Sequence, residues 1–363
     1  MKLCLVLDRF EGDDIEQTAV AVANGLAVRG HDIHFALMQR GSPISVKLDK
    51  RVELYSLEKA KASFAVAGLG RFLDKLQPQA VISFGTPCNI AVLSSLALRA
   101  TWKAPVVVVE TQGFGGDGTR GLFSKALAVP LIYKEAARIV CAFEGIREDL
   151  LPVEWLASEK SCVIAPPYLA GSFLTSALQV EEYGPPLKPE EIVVLAPPTE
   201  QSTHRLFIEA LAVGRYKRPL TGRILGEAGK LEPLQRFSNS LAMDDLMTFG
   251  PPAESQEAVF RDSAFYYEAQ GPARASRHMV EAMAMGRGVI SLASSVGVQE
   301  LLTGVAGAAL VPQKDAASLS GALINLAAYA DEFVQLKQKA RQFNVDVSLD
   351  QYEALILDVI RHQ

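Results

Sequence analysis

Two doubly wound α/β domains are the fold class that this 363-residue sequence predicts. Three observations carry that expectation. The chain is too long for one ordinary core and suits two. Short runs that are apolar on both faces, as in a covered parallel sheet, alternate with helical periodicity. That alternation breaks once near the middle and then starts again. Hydrophobic residues at 49% and charged residues at 21% give a globular balance, which excludes a disordered or collagen-like chain.

Leu3–Leu7 reads as a buried strand, followed by a turn over Glu11-Gly12-Asp13-Asp14 and a helix over Ile15–Val28. Gly30 stops that helix and His31–Leu37 begins the next strand, which completes a βαβ unit. Val52–Leu57, Ala80–Phe84, Val106–Glu110 and Ile139–Phe143 continue the strands, with helices such as Asn89–Leu98 and Phe123–Ala137 between them. From Glu181 to Pro189, charge, glycine and three prolines replace the periodicity, the mark of a linker. The pattern then resumes with strand Ile192–Ala196, helix Leu206–Ala212, strand Gly222–Leu225, helix Leu231–Leu241 and strands Leu246–Phe249 and Ala264–Tyr267. A Met/Ala-rich helix, strand Val289–Leu292 and an amphipathic helix over Leu349–Arg361 complete it. Two such domains are expected to take ligands in the crevice between them, at the carboxyl ends of the strands.

Net charge is −5, divided as +1 over residues 1–180 and −6 over 181–363, so neither half is basic enough to suggest nucleic acid as a partner. Cys4, Cys88, Cys141 and Cys162 show no metal spacing and read as buried reduced thiols of a cytoplasmic protein. Asp8 and Arg9 end the first apolar run short of a signal-peptide core, and no stretch reaches the ~20 apolar residues of a membrane span. Arg120, Lys125, Lys134 and Arg138 lie among Phe123, Leu127, Leu131 and Ile132. That segment either rests peripherally on the anionic inner face of a membrane or packs as an ordinary helix with a wet face.

The most informative stretch is Tyr266–Glu300. A polar loop runs into a helix bearing Glu281-Ala282-Met283-Ala284; Gly286-Arg287-Gly288-Val289 enters a strand, and Gly297-Val298-Gln299-Glu300 follows. A helix start presents free N–H groups and the positive end of the dipole, so this one is expected to hold the phosphates of a nucleotide. Glu281, at its mouth, would accept hydrogen bonds from a ribose. The segment resembles the donor-site signature of the family-four retaining glycosyltransferases of the GT-B fold. There a glutamate, seven residues and a second glutamate open an E-A-M-A helix, followed by G-x-P-V and G-x-x-E. Ala273 stands in the place of the first glutamate; Glu268, five positions earlier, substitutes for it if the loop folds back.

Gly12-Asp13-Asp14-Ile15-Glu16 and Arg29-Gly30-His31-Asp32-Ile33 look like the family's G-G-x-E loop and R-G-H-x-V helix end. Gly12 and Asp13 would then meet the acceptor or the sugar; an ordinary turn with an N-cap at Asp14 is the other reading. Gln112 and Gly113, in a glycine-rich loop, stand near where family members often place a histidine beside the reacting sugar. Glutamine does not titrate, so Gln112 and Asp13 are expected to position rather than exchange protons. Thr86 either contacts the acceptor or belongs to a plain strand-to-helix turn. The arginine and lysine that the family aims at the donor diphosphate fall at Pro197 and Ser202. Charge would come instead from His204 and Arg205, or from Arg274, Arg277 and His278, with the amides around Ala275 and Ser276; surface arginines in solvent are the alternative. Gly226 and Gly250 look like the family's turns near the nucleotide base, and Glu300 would lie near the donor.

The resemblance implies a GT-B protein, two doubly wound Rossmann-like domains facing across a cleft. Residues 1–180 would bind the acceptor, 181–348 the nucleotide-sugar, and a helix over 349–363 would cross back to the first domain. It implies retaining transfer without metal or cofactor, the nucleotide-sugar being a co-substrate, to a glycan, lipid-linked or small-molecule acceptor. No Asp-x-Asp triplet is present to clamp a diphosphate through a divalent metal. The runner-up is a GT-B protein that has lost catalysis and serves as a partner subunit or carbohydrate-binding module. A nucleotide-sugar epimerase would need more titratable side chains in the expected cleft loops than this chain has.

Overall fold

A computed structural model describes residues 1–10, 14–39, 48–59, 62–98, 101–111, 131–149, 160–171, 173, 188–195, 202–252, 256–269, 275–293, 295–328 and 334–362. The chain divides into two compact units, Met1–Tyr168 with Val345–Gln363, and Leu169–Asn344. Both are parallel α/β sheets.

In the first unit the strands are β1 (Lys2–Leu7), β2 (Asp32–Gln39), β3 (Glu53–Lys59), β4 (Ala80–Phe84), β5 (Val106–Glu110), β6 (Arg138–Cys141) and β7 (Ser161–Val163). Their spatial order is β3-β2-β1-β4-β5-β6-β7, all parallel. Helices α1 (Asp14–Val28), α2 (Ala62–Leu76), α3 (Thr86–Leu98) and α4 (Glu144–Glu148) connect them. β1, β4 and β5 are buried almost throughout, the reason their sequences are unbroken apolar runs. α1 ends as its sequence requires: Gly30 takes φ +86°, with His31 N bonded to Leu26 O and Gly30 N to Ala27 O.

The second unit carries β8 (Lys188–Leu195), β9 (Thr221–Leu225), β10 (Met247–Gly250), β11 (Ser263–Glu268), β12 (Gly288–Leu292) and β13 (Ala308–Val311), in the parallel order β10-β9-β8-β11-β12-β13. Its helices are α5 (Ser202–Gly214), α6 (Ala228–Ser240), α7 (Gln256–Asp262), α8 (Arg277–Ala284), α9 (Val296–Leu302), α10 (Ala316–Ala327) and α11 (Val334–Ala340). Each sheet therefore changes direction between its first and fourth strands, β1/β4 and β8/β11. That switch point is where doubly wound sheets bind ligands, at the carboxyl ends of the strands.

The last helix, α12 (Val345–Arg361), belongs to the first unit. Leu349, Tyr352, Ile356 and Val359 join the core built on β1, β2, β4 and α1. Leu349 lies where a Cβ on Gly25 would be only 2.2 Å from its Cδ1, so the glycine lets the two helices close. Arg29 and His31 grip the same helix through Glu353 at 2.9 and 2.8 Å, and Arg29 also pairs with Asp350 at 2.7 Å.

The start of α12 lies four residues before the expected Leu349, and β7 and β13 were not expected as strands. Of the expected linker, residues 181–187 lie outside the described residues, and Lys188 and Pro189 already belong to β8. Residues 120–130 of the basic amphipathic segment likewise lie outside them. Among the described residues no helix is long and apolar enough to cross a membrane. Cys4, Cys88 and Cys141 are buried free thiols and Cys162 a half-buried one.

Candidate functional site

The described residues among those expected at the donor site, Gly226, Gly250, Ser276, Arg277, Glu281 and Glu300, all belong to the second unit. Ser276, extended at φ −76° and ψ 156°, caps α8 by accepting a hydrogen bond from Met279 N at 3.1 Å. The helix thus opens at Arg277, and Glu281 sits in its second turn, not at its mouth as expected. A serine followed by two polar residues looked like loop; the cap turns those residues into the first turn.

The Ser276 hydroxyl in turn donates to the Glu268 carboxylate at the end of β11, and the Tyr266 hydroxyl stands 3.5 Å from the same oxygen. Glu268 is thereby brought to the start of α8. The chain's own carboxylate thus lies beside the helix end at which phosphates are expected.

Glu281 is 1% exposed. Its Oε1 accepts from Arg277 Nε at 2.7 Å, while its Oε2 is buried with no hydrogen-bond partner among the described residues. Burial pushes the carboxyl up to about 6 from an ordinary 4.5, against the pull of Arg277. A half-satisfied buried carboxylate is costly. Arg277 itself is 40% exposed on the side chain. His278 is pushed by burial, and further by Arg277, down to about 4.

The other expected cations are engaged elsewhere. His204 is buried with Nε2 3.2 Å from Leu195 O, and the Arg205 guanidinium lies over the Phe237 ring at 5.1 Å. Thr203 donates to Ala269 O, so the first turn of α5 is bound to the ends of both β8 and β11. A cation reaches this turn from a residue the sequence reading missed: Lys314 Nζ donates to Ser202 Oγ at 3.3 Å. Ser202 is where the resemblance expects a charge. The lysine comes from the turn between β13 and α10, and only the sheet order, invisible to a local motif, brings it there.

Gly226 and Gly250 adjoin at the ends of β9 and β10, where Gly226 N donates to Gly250 O at 3.0 Å. A groove of ≈ 420 Å³ runs beside Gly250, walled by Leu225, Phe249, Pro251 and Val259, with Arg223, Thr248 and Asp262 as polar lining. Glu300 lies in α9, capped by Ser295, and its main-chain carbonyl accepts from Lys339 Nζ at 2.7 Å. In the first unit Thr86 opens α3 and donates to Glu110 Oε2 at 2.9 Å. Gly12, Asp13, Gln112, Gly113 and Arg274 lie outside the described residues.

No protein-family model matches the chain, and no curated protein matches it in sequence. Solved structures do match it along its whole length. A glycosyltransferase from Rickettsia africae aligns with TM-score 0.73 at 13% identity, covering 100% of this chain and 99% of that one. HepE from Anabaena, in complex with UDP, gives 0.72 at 14%, covering 98% and 99%. Sucrose-phosphate synthase from Thermosynechococcus elongatus gives 0.71 at 13%, covering 100% of both chains. At such identity the likeness defines the fold: the chain has the α/β GT-B fold, two doubly wound Rossmann-like units in one chain.

Proposed function

We propose that the protein is a retaining, metal-independent glycosyltransferase that moves a sugar from a nucleotide-sugar to a glycan, lipid-linked or small-molecule acceptor. The observation that carries this is Glu281, a buried carboxylate with one oxygen fixed by Arg277 and the other without a partner among the described residues, on the helix that follows β11 of a Rossmann-type sheet. Glu281 Oε2 takes a ribose hydroxyl, and the groove beside Gly250 takes the base. Lys314, at the start of α5, supplies positive charge to the diphosphate, which Glu268 would otherwise repel. HepE, similar in fold, is a protein solved with UDP and with UDP-glucose, which supports a donor of this class.

Catalysis in this reading is positioning and electrostatics. The chain orients the acceptor hydroxyl against the anomeric carbon, and the departing diphosphate takes up the proton. Ala273 in the place of a glutamate favours a second reading, a GT-B protein that has lost catalysis and serves as a partner subunit or carbohydrate-binding module.

Titration with UDP, GDP and ADP tests the donor site. Saturable binding of at least one is expected, weakened roughly tenfold or more by Glu281→Ala and about tenfold by Lys314→Ala. Absence of binding to all three would sink the transferase reading. Hydrolysis of UDP-glucose, GDP-mannose or ADP-glucose by a protein that binds the matching diphosphate supports the enzyme; binding without turnover supports the second reading.

A further inference from the structure

A buried polar network sits in the first unit under the carboxyl ends of β4 and β5. Glu110, the last residue of β5, is 1% exposed, and its carboxylate is held on both oxygens. Asn89 Nδ2 donates to Oε1 at 2.8 Å, the Tyr133 hydroxyl donates to the same oxygen, and Thr86 Oγ1 donates to Oε2 at 2.9 Å. Ser83 Oγ closes the set by donating to Asn89 Oδ1 at 2.5 Å, while Asn89 Nδ2 also reaches Val109 O at 3.1 Å. Three donors on one carboxylate fix the end of β5 in place. Thr86 donates its hydroxyl hydrogen to Glu110 in this network.

Thr111 follows directly and is the exception. It is 6% exposed, and its Oγ1 is buried without a hydrogen-bond partner among the described residues. A buried hydroxyl left unpaired is expensive; Ser95, Ser238 and Tyr267 also carry one among the described residues, and Thr111 differs from them in its place. This one stands at the carboxyl edge of a doubly wound sheet, two strands from β1 and one from β4, where ligands of such sheets bind. A threonine hydroxyl both donates and accepts, which matches the hydroxyl of a sugar, and carries no charge to attract a phosphate.

We propose that Thr111 is a specificity-determining contact of the first unit, hydrogen-bonding a hydroxyl of an acceptor saccharide, with Glu110 as the positioning residue that fixes it. The saccharide class rests on the glycosyltransferase reading; the unpaired hydroxyl does not.

Two measurements test this. Glucose, galactose, mannose and N-acetylglucosamine are titrated into the full-length protein, and thermal unfolding is followed without ligand. Wild type is expected to bind at least one sugar, Thr111→Val to weaken it about tenfold, and Thr111→Ser to keep it. Nucleoside-diphosphate affinity should be unchanged in both variants. Ligand-free Thr111→Val should unfold at the wild-type temperature or above, because valine removes an unpaired hydroxyl and keeps the shape. A lowered unfolding temperature would reveal a protein partner for the hydroxyl and overturn the proposal. So would equal sugar binding by wild type and Thr111→Val, or no binding of any of the four sugars. A protein that binds sugars through Thr111 but no nucleoside diphosphate would leave this site standing while the donor reading failed.

Discussion

At the scale of single residues, Glu281 has opposing effects on stability and on binding. Its folded pKa, about 6, lies above the ordinary 4.5 because burial outweighs Arg277. Between those values the folded protein holds a proton that the unfolded chain has released, so stability falls as pH rises through that window and stays reduced above it. The difference corresponds to about 2 kcal/mol. Glu281→Gln is therefore expected to stabilise the ligand-free protein at pH 7 by roughly 1–2 kcal/mol and to flatten its stability between pH 4.5 and 6, read from urea unfolding. The same change should weaken nucleoside-diphosphate binding, because a neutral amide is a poorer acceptor than a carboxylate. A less stable Glu281→Gln protein at pH 7 would mean that the Arg277 pair outweighs burial and that the buried charge needs no ligand to explain it.

At the scale of elements, α12 against α1 is the contact most open to test. A Cβ on Gly25 would overlap Leu349, whereas alanine inside a helix otherwise gains about 1 kcal/mol over glycine. Gly25→Ala should thus destabilise the wild type by about 1–3 kcal/mol, yet be neutral or stabilising in a Leu349→Ala background, where the overlap is gone. Equal effects in both backgrounds would show that the two helices do not touch as described. The same pair shows what a sequence can and cannot reveal. β1, β4, β5 and β11 were legible because strands buried on both faces leave unbroken apolar runs, and the end of α1 because Gly30 must take a positive φ. β7 was not, with three residues too few to show a period. At the site, Glu281 and the glycines ending β9 and β10 stood out locally. The grip of Arg29 and His31 on Glu353, Lys314 on Ser202, and Ser276 on Glu268 did not, since each depends on a partner that chain topology, not spacing, brings near.

At the scale of the whole molecule, the two units differ in how the chain builds them. Leu169–Asn344 is one continuous stretch, whereas the first unit needs α12 from the far end of the sequence. Leu349, Tyr352, Ile356 and Val359 are all buried in that unit's core. At ~1.5–3 kcal/mol for each fully buried apolar side chain, their loss removes about as much free energy as a typical domain holds in total. A chain of residues 1–168 alone is therefore expected to lack a cooperative thermal transition. Leu169 and Asn344 form a parallel bridge, with Leu169 N on Phe343 O at 2.9 Å, so the two crossings of the chain lie side by side. A short Gly/Ser linker from Tyr168 to Val345 should then restore the transition, because it supplies α12 without the second unit. Residues 169–344 alone should melt cooperatively and bind a nucleoside diphosphate as tightly as the full chain, since Glu281, Lys314 and the groove beside Gly250 all belong to that stretch. Calorimetric titration of the isolated stretch decides the matter: affinity more than about tenfold below the full chain would place part of the nucleotide's binding energy outside Leu169–Asn344.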